Sequence, residues 1–331
     1  MGTRRIAGVI VACVLPVATA SCVLFDERSA AEGIEHRIHD MPGVSTTSLT
    51  YNSGIAVGKN FSLSVTLDAS ATGQQAIDVG TEFVRERLAA GLDDHIGSLT
   101  LEYPAAEDTG DVVFDASRAA FDFGPNDGEP DPGERQVADG IGVWRELTQA
   151  PVVNYVRLSE PGGPDGPNIR VVLRLGAEAG PARELQHATP ALASASWEYA
   201  LPYGSQVDRR SYVSTPAPPS DSDMALWTEL SAIIGPYYTA KGYTGPMADG
   251  RQALTAIDIE AYGTHPDTLA AVPRIARAAA AALPRFGHPA ELRVRGSNET
   301  IELVVGGCYR HREDHVVSPV ETELSQQYER C

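Results

Sequence analysis

The chain has 331 residues, of which 43% are hydrophobic and 21% charged, and its formal net charge is −18 at pH 7. These proportions are typical of a globular protein long enough for two or three domains. Because an excess of carboxylates repels nucleic-acid phosphates and anionic lipid headgroups, the charge argues against nucleic-acid binding and against membrane binding by charge alone.

The N-terminus has the organisation of an export signal. Arg4 and Arg5 precede an apolar stretch of twelve residues, Ile6 to Val17, and small residues follow at 18–21, directly before Cys22. An apolar stretch of this length is typical of a signal peptide and too short for a membrane span. We therefore predict a signal peptide over 1–21, whose loss would take the net charge from −18 to −20.

The order of small residues and cysteine resembles the lipobox of bacterial lipoproteins. In that family the cysteine thiol receives a diacylglyceryl group and becomes the new N-terminus. The resemblance covers only the first 22 residues, and Thr19 stands where an aliphatic residue is usual. The near absence of lysine, with only Lys59 and Lys241, resembles the composition of actinobacterial proteins. The resemblance implies lipidation at Cys22 and a place at the extracytoplasmic face of the cell membrane.

Other ways of processing the N-terminus stay open. Ala18-Thr19-Ala20 also fits an ordinary A-x-A cleavage site, which would release a protein beginning at Ser21. The segment 10–13, ending at Cys13, matches the lipobox better residue by residue than the segment ending at Cys22, but it would leave a signal core of only seven apolar residues. The twin arginines after Thr3 fit a twin-arginine export signal loosely.

The cysteine count agrees with a lipid on Cys22. Of the four cysteines, Cys13 would leave with the signal peptide, and acylation of Cys22 would leave Cys308 and Cys331. A remaining even pair in an oxidising compartment is expected to form a disulfide. Closing this loop would stabilise the fold by roughly 3 kcal/mol in the chain-entropy model. Two free buried thiols are the alternative.

The first half of the exported part is predicted to contain a tether and one α+β unit. The tether is 22–33, and the unit, 34–104, begins with a short helical stripe. Phe61–Leu67 alternates apolar and polar residues and is predicted to pair with 44–51, whereas 74–92 has the three-to-four-residue period of an amphipathic helix. Leu99, Leu101 and Tyr103 complete the order α-β-β-α-β.

The rest of the chain is predicted to form two more units. An acidic connector, 105–134, leads to a second α-β-β-α-β unit, 135–213. A proline-rich linker, 214–222, then leads to a third α+β unit, 223–331, which departs from that order and carries a C-terminal disulfide. The predicted helices are 135–148, 181–193, 224–234 and a Pro273-containing helix that carries Leu269 to Leu283; the predicted strands are 152–158, 169–175, 197–203, 254–261, 292–295 and 301–305. The fold class expected is α+β, with helices on one face of small antiparallel sheets. The topology resembles ferredoxin-like and BON-like sandwiches, although the glycine-centred BON pattern is absent.

Metal-binding patterns in the sequence are weak. His311 and His315 stand at i and i+4, but Asp314 occupies the position where an inverted zincin needs glutamate. His36 and His39, at i and i+3, are expected to lie on an exposed helix flank. The acidic loop 122–134 places Asp127, Gly128 and Glu134 at positions five, six and twelve of a calcium loop, but Phe123 and Pro125 then occupy ligand positions one and three. We predict no metal and no cofactor.

No nucleophile elbow, P-loop or dinucleotide fingerprint is present. Two groups of aromatic residues could line a ligand groove, although strand alternation favours the core for the first group; they are Trp197, Tyr199 and Tyr203, and Tyr237, Tyr238 and Tyr243. The favoured hypothesis is a non-catalytic, lipid-anchored envelope protein that binds an unidentified protein partner or supports an assembly. The alternative is an extracytoplasmic hydrolase or small-ligand-binding lipoprotein, with its site between the second and third units near the linker.

Overall fold

The computed structural model describes residues 18–54, 58–92, 95–104, 117–124, 132–160, 167–203, 208–235, 238–246, 254–261, 266–309 and 316–331. Within these ranges the chain forms seven α-helices and twelve β-strands. The helices are α1 Ala18–His39, α2 Gly73–Ala89, α3 Glu134–Gln149, α4 Ala179–Ala188, α5 Asp221–Ile234, α6 Pro266–Ala282 and α7 Pro319–Tyr328. The strands are β1 Val44–Gly54, β2 Gly58–Leu67, β3 Ile96–Pro104, β4 Ser117–Phe123, β5 Val153–Glu160, β6 Asn168–Leu173, β7 Ser196–Tyr203, β8 Asp208–Ser214, β9 Tyr238–Gly245, β10 Leu254–Ala261, β11 Ala290–Arg295 and β12 Thr300–Val305.

All twelve strands belong to one mixed sheet, in which their spatial order is their order along the chain. Antiparallel hairpins alternate with parallel pairs, so that β1 pairs antiparallel with β2, β2 parallel with β3, and so on to β12. Each parallel pair is joined by a helix, as the geometry of a parallel connection requires. The chain is therefore a series of six β-β-α modules, preceded by α1.

The predicted fold class of two or three small ferredoxin-like or BON-like units with antiparallel sheets is wrong. Three strands absent from the prediction join the expected units into one long, open sheet. β4 pairs with both β3 and β5, and β8 and β9 connect β7 to β10. The segment 214–222, interpreted as a linker, connects β8 to α5, and Pro218 and Pro219 are buried.

The missed strands lack a simple apolar alternation. In β8 the inward positions are Arg210, Tyr212 and Ser214, and the buried Arg210 guanidinium donates hydrogen bonds to the backbone carbonyls of Ser231, Gly235 and Tyr238. A buried charged group that donates several hydrogen bonds is compatible with a core strand, but it makes the sequence of that strand polar. The hydrophobic pattern alone therefore could not predict this strand.

The helices pack on one face of the sheet and form a single core with it. Along β2, Phe61, Leu63 and Val65 are buried, whereas Ser62 and Ser64 are exposed, as the alternation predicts. The Phe61 and Phe83 rings lie 5.4 Å apart, which joins this strand to α2. Side chains alternate between the two faces of a strand. In each described strand, the apolar residues that join this core lie on the face toward the helices.

Side-chain caps fix where several helices begin. Thr72 and Gln75 form a capping box at the start of α2, and Ser220 with Asp223 forms another at α5. A third capping box, Ser318 with Glu321, begins α7 directly before Pro319. These exchanges satisfy N–H groups that have no partner inside the helix. The segment 22–33, interpreted as a tether, lies within α1, where Ala31 is buried.

The C-terminal segment covers the outer edge of β12. The Gly306 N–H donates to the carbonyl of Tyr328 (2.9 Å), and the Arg330 N–H donates to the carbonyl of Gly307 (2.8 Å). The Val304 N–H donates to the Glu329 carboxylate (3.1 Å). Covering an edge in this way removes a template for unwanted strand pairing.

Candidate functional site

The two cysteine predictions have different outcomes. Cys308 and Cys331 are joined by a disulfide with their Cα atoms 4.9 Å apart, which fixes the C-terminal segment next to the end of β12. Cys22 lies in the first turns of α1, and its side chain is outside the described part of the structure. Lipidation of Cys22 therefore stays a prediction.

The predicted metal positions do not come together in the described residues. His311, Asp314 and His315 fall outside them. His36 and His39 are exposed on α1, and Nδ1 of His39 lies 3.4 Å from Oγ1 of Thr47. Across the ranges that the structure describes, no group of three or more His, Cys, Asp or Glu side chains has a geometry suited to a metal ion.

Residues of the acidic loop also have other roles. Asp127 and Gly128 lie outside the described ranges, as does Pro125. Phe123 is buried at the end of β4, and Glu134 begins α3 and accepts a hydrogen bond from Arg85 (3.2 Å). The flanking parts of the loop thus belong to the sheet and the helix layer.

Among the aromatic residues, Trp197, Tyr199 and Tyr238 are buried in the core. Tyr243 is 38% exposed on β9, opposite the helix layer. Tyr237 and the side chain of Tyr203 are outside the described part. The expectation that the β7 aromatics are core is confirmed for Trp197 and Tyr199.

A cleft in the helix layer is the strongest candidate for a binding site. It has a volume of about 540 Å³ and lies between α3 and the 3-10 turn Pro190–Ser194 that follows α4. Its floor is the end of β5, with Leu158 and Glu160, and Val143 of α3 contributes an apolar wall. Cavities of roughly 300–1,000 Å³ with apolar walls and a few polar groups are typical of small-ligand sites.

Glu160 is the principal polar group of this cleft. The residue is 5% exposed, and its Oε1 accepts a hydrogen bond from Nε2 of Gln136 (2.6 Å). Burial raises the pKa of the Glu160 carboxyl, and the hydrogen bond from Gln136 opposes this rise. The absence of a side chain at Gly140 makes room for the carboxyl, because a Cβ there would lie 3.1 Å from Oε2.

The sequence contained a signal for Glu160 that the strand prediction did not use. The predicted strand ended at Leu158, whereas β5 continues to Glu160. Val156, Leu158 and Glu160 occupy alternate positions, so the carboxyl lies on the face that is buried. An acidic residue in register with a buried row is a candidate for a functional group.

The cleft differs from the ligand site expected in the sequence. That site was placed between the second and third predicted units, near residues 214–222, whereas the cleft lies inside 135–213. A pocket combining a carboxylate of raised pKa with a histidine would have favoured the hydrolase alternative. The residues lining the Glu160 cleft include Arg135, Gln136 and Asp139, and they do not include a histidine among those described.

The opposite face of the sheet carries charged side chains that pair across neighbouring strands. Opposite charges on neighbouring strands contribute modestly to the stability of a sheet. The pairs are Asp122 with Arg157, Glu198 with Arg170, Asp258 with Arg295, and Glu302 with Arg293. Near the centre of this face, Tyr155, Val172 and Ala200 form a small apolar cluster.

No protein-family model, no curated protein and no solved structure matches the chain. Over the residues that the structure describes, none of the helices has the length and apolar character needed to span a membrane.

Proposed function

We propose that this chain is a non-catalytic binding protein of the bacterial envelope, held at the outer face of the cytoplasmic membrane by a lipid on Cys22. The observation that carries the binding role is Glu160, a carboxyl that is buried and yet lies at the floor of an open cleft. The proposal narrows the favoured hypothesis of a binding or scaffolding lipoprotein to a small-ligand site.

The ligand class follows from the chemistry of the cleft. A buried carboxylate is stabilised by a positive group that replaces the water it has lost, and Gln136 supplies only a neutral amide. Leu158 and Val143 favour an apolar body on the ligand. The net charge of −18 attracts cations toward the protein. These features favour a small organic amine whose ammonium group meets Glu160.

Calorimetric titration with a primary amine and with the alcohol of the same shape tests the ligand class. We expect saturable binding of n-butylamine, and binding of n-butanol at least about tenfold weaker, since a charged hydrogen bond is about twice as strong as a neutral one. Glu160→Gln should abolish the preference for the amine. Glu146→Gln, which removes an exposed carboxylate from α3, is the matched control and should preserve it.

Equal binding of the amine and the alcohol, or an equal loss in both variants, would contradict the proposed ligand class. It would not contradict the proposed membrane anchor, for which a separate test follows.

The anchor is tested by cell fractionation of Cys22→Ser in a bacterial host that processes lipoproteins. We expect the wild-type chain in the membrane fraction and Cys22→Ser in the soluble or precursor fraction. Cys13→Ser is the control, because Cys13 lies within the predicted signal peptide, and it should leave the membrane fraction unchanged. A Cys22→Ser chain that is processed normally and stays in the membrane fraction would show the lipid proposal to be wrong.

A further inference from the structure

A chain of four hydrogen-bonding side chains crosses the C-terminal part of the sheet. The phenol of Tyr212 in β8 lies 2.6 Å from Oγ1 of Thr244 in β9, and that oxygen lies 2.6 Å from Oγ1 of Thr255 in β10. Oγ1 of Thr255 lies 2.5 Å from Nε2 of His288, just before β11. Tyr212 and Thr255 are almost completely buried, whereas His288 is half-buried.

The buried end of this chain sets the direction of its hydrogen bonds. Each hydroxyl has one proton to donate, and burial raises the pKa of Tyr212 to about 12, so the phenol keeps its proton. Among the described residues, the threonine hydroxyls are the acceptors available to that proton. The arrangement in which each hydroxyl donates once runs from Tyr212 to Thr244, from Thr244 to Thr255, and from Thr255 to Nε2 of His288.

This direction determines the tautomer of the histidine. Because Nε2 accepts a hydrogen bond, the proton of the neutral imidazole is on Nδ1. The ring is further positioned by Phe286, whose centroid lies 5.8 Å from that of His288. In this tautomer, Nδ1–H of His288 is the ring donor that could bind a ligand.

His288 lines a second cavity, of about 320 Å³, at the end of the molecule where the chain terminates. Gly287 and Gly306 line it too, and both have positive φ, so their conformation suits residues without a side chain. Tyr328 and Arg330 form the wall contributed by the C-terminal segment, which the Cys308–Cys331 disulfide ties to the end of β12.

Arg330 supplies a positive charge at this cavity. Its Nη1 donates to the backbone carbonyls of Gln327 (3.3 Å) and Glu329 (2.9 Å), which orient the guanidinium. A guanidinium has five N–H donors in a planar arrangement, so these two bonds leave donors for a ligand. Donors from a neutral histidine and an arginine are suited to the oxygens of a carboxylate.

We propose that this cavity binds a small carboxylate, whose oxygens accept hydrogen bonds from Nδ1–H of His288 and from the guanidinium of Arg330. The buried hydroxyl chain acts as the device that positions the imidazole, and the disulfide-bound segment supplies the cation. The remaining walls, from Pro284, Pro289 and Val305, favour a short aliphatic body such as that of propionate. The site is independent of the Glu160 cleft.

The tautomer is tested by long-range proton–nitrogen NMR of the full chain labelled with 15N in histidine. The resonances of His288 are assigned by their loss in His288→Gln. At a pH where the ring is neutral, we expect the proton on Nδ1. In Thr255→Val, which removes the donor with little change in shape, the preference for Nδ1–H should be lost while the environment of Trp227 in the core is unchanged. A proton on Nε2 in the wild-type chain would overturn the positioning role.

Titration with sodium propionate, at constant ionic strength, tests the ligand. We expect saturable shifts of the His288 resonances and an affinity about tenfold weaker in Arg330→Gln, because a charge-assisted hydrogen bond is lost. Arg183→Gln, which removes the same charge from an exposed position on α4, should bind propionate as the wild type does. Shifts that do not saturate, or equal weakening in both variants, would overturn the proposed site.

Discussion

Gly242 of β9 lies so close to Tyr212 of β8 that a Cβ atom at position 242 would come within 2.5 Å of the tyrosine ring. It would also lie 3.0 Å from Trp227 and 3.1 Å from Ile257, and all three neighbours are buried. The missing side chain allows the Tyr212 and Trp227 rings, whose centroids are 5.8 Å apart, to pack against the sheet. The close packing of this part of the core thus requires glycine at position 242.

We expect Gly242→Ala to lower the free energy of unfolding by about 1–3 kcal/mol, because the core cannot accept the added methyl without moving large rings. Chemical denaturation of the purified protein measures this loss. Gly180→Ala is the control, since a Cβ there meets nothing within 4 Å, and it should be neutral or slightly stabilising. Equal stability of Gly242→Ala and the wild type would show that the packing at β9 is looser than described.

Gly242 also shows why part of the fold could not be predicted from the sequence. The helices and the strands with a clear apolar period, such as β2 and α3, were predicted close to their observed bounds. β9 was missed because Gly242 replaces the apolar residue expected at an inward position, and β8 because Arg210 does so. Because those strands connect the predicted units, their omission from the prediction led to the wrong fold class.

The candidate sites were predictable to different degrees. Glu160 continues the alternation of Val156 and Leu158, so a longer strand would have placed it on the buried face. The hydroxyl chain to His288 depends on contacts between residues 212, 244, 255 and 288, which lie far apart along the chain. Strand register determines such contacts, and a single sequence does not specify which strands are neighbours.

Arg170 and Glu198 form an ion pair on the sheet face opposite the helices. The Glu198 side chain is 2% exposed, whereas that of Arg170 is 44% exposed. Nε of Arg170 lies 2.7 Å from Oε2 of Glu198. The carboxylate thus depends on a partner that is itself partly in water.

We expect Arg170→Met to lower the free energy of unfolding by about 1–3 kcal/mol, because it leaves a buried charge without its cation. Adding Glu198→Gln to that variant should recover part of the loss, since the uncompensated charge is then removed. A double-mutant cycle in denaturant measures the coupling. Strictly additive effects of the two substitutions would contradict this account.

The Cys308–Cys331 disulfide closes a loop with a sequence separation of 23 residues and fixes the segment that covers β12. We expect Cys308→Ser with Cys331→Ser to lower the free energy of unfolding by up to about 3 kcal/mol. Hydrogen exchange should accelerate at the Gly306 and Arg330 amides, whose backbone bonds join the two segments. The amides of β11, in the interior of the sheet, provide the control and should keep their protection. Unchanged exchange at position 306 would mean that the segment is held without the disulfide.

Glu160 should make the stability of the protein depend on pH. Burial raises its pKa above the ordinary value of 4.5. The native carboxyl therefore holds its proton more tightly than the unfolded chain does, and the stability contributed by the protonated form is complete below the ordinary pKa. As the pH rises through the raised pKa, that contribution is lost, because ionisation of a buried group is unfavourable.

Glu160→Gln keeps the shape of the side chain and removes its charge. We therefore expect the variant to equal the wild type in stability near pH 4 and to exceed it at pH 8, because only the wild type then has to ionise a buried carboxyl. Denaturation curves between these values measure the difference, and Glu146→Gln should show no such divergence. A wild type that becomes more stable than Glu160→Gln as the pH rises would mean that a cation already compensates the carboxylate. In that case an ammonium ligand would gain little from contact with Glu160, so this measurement also tests the proposed ligand class.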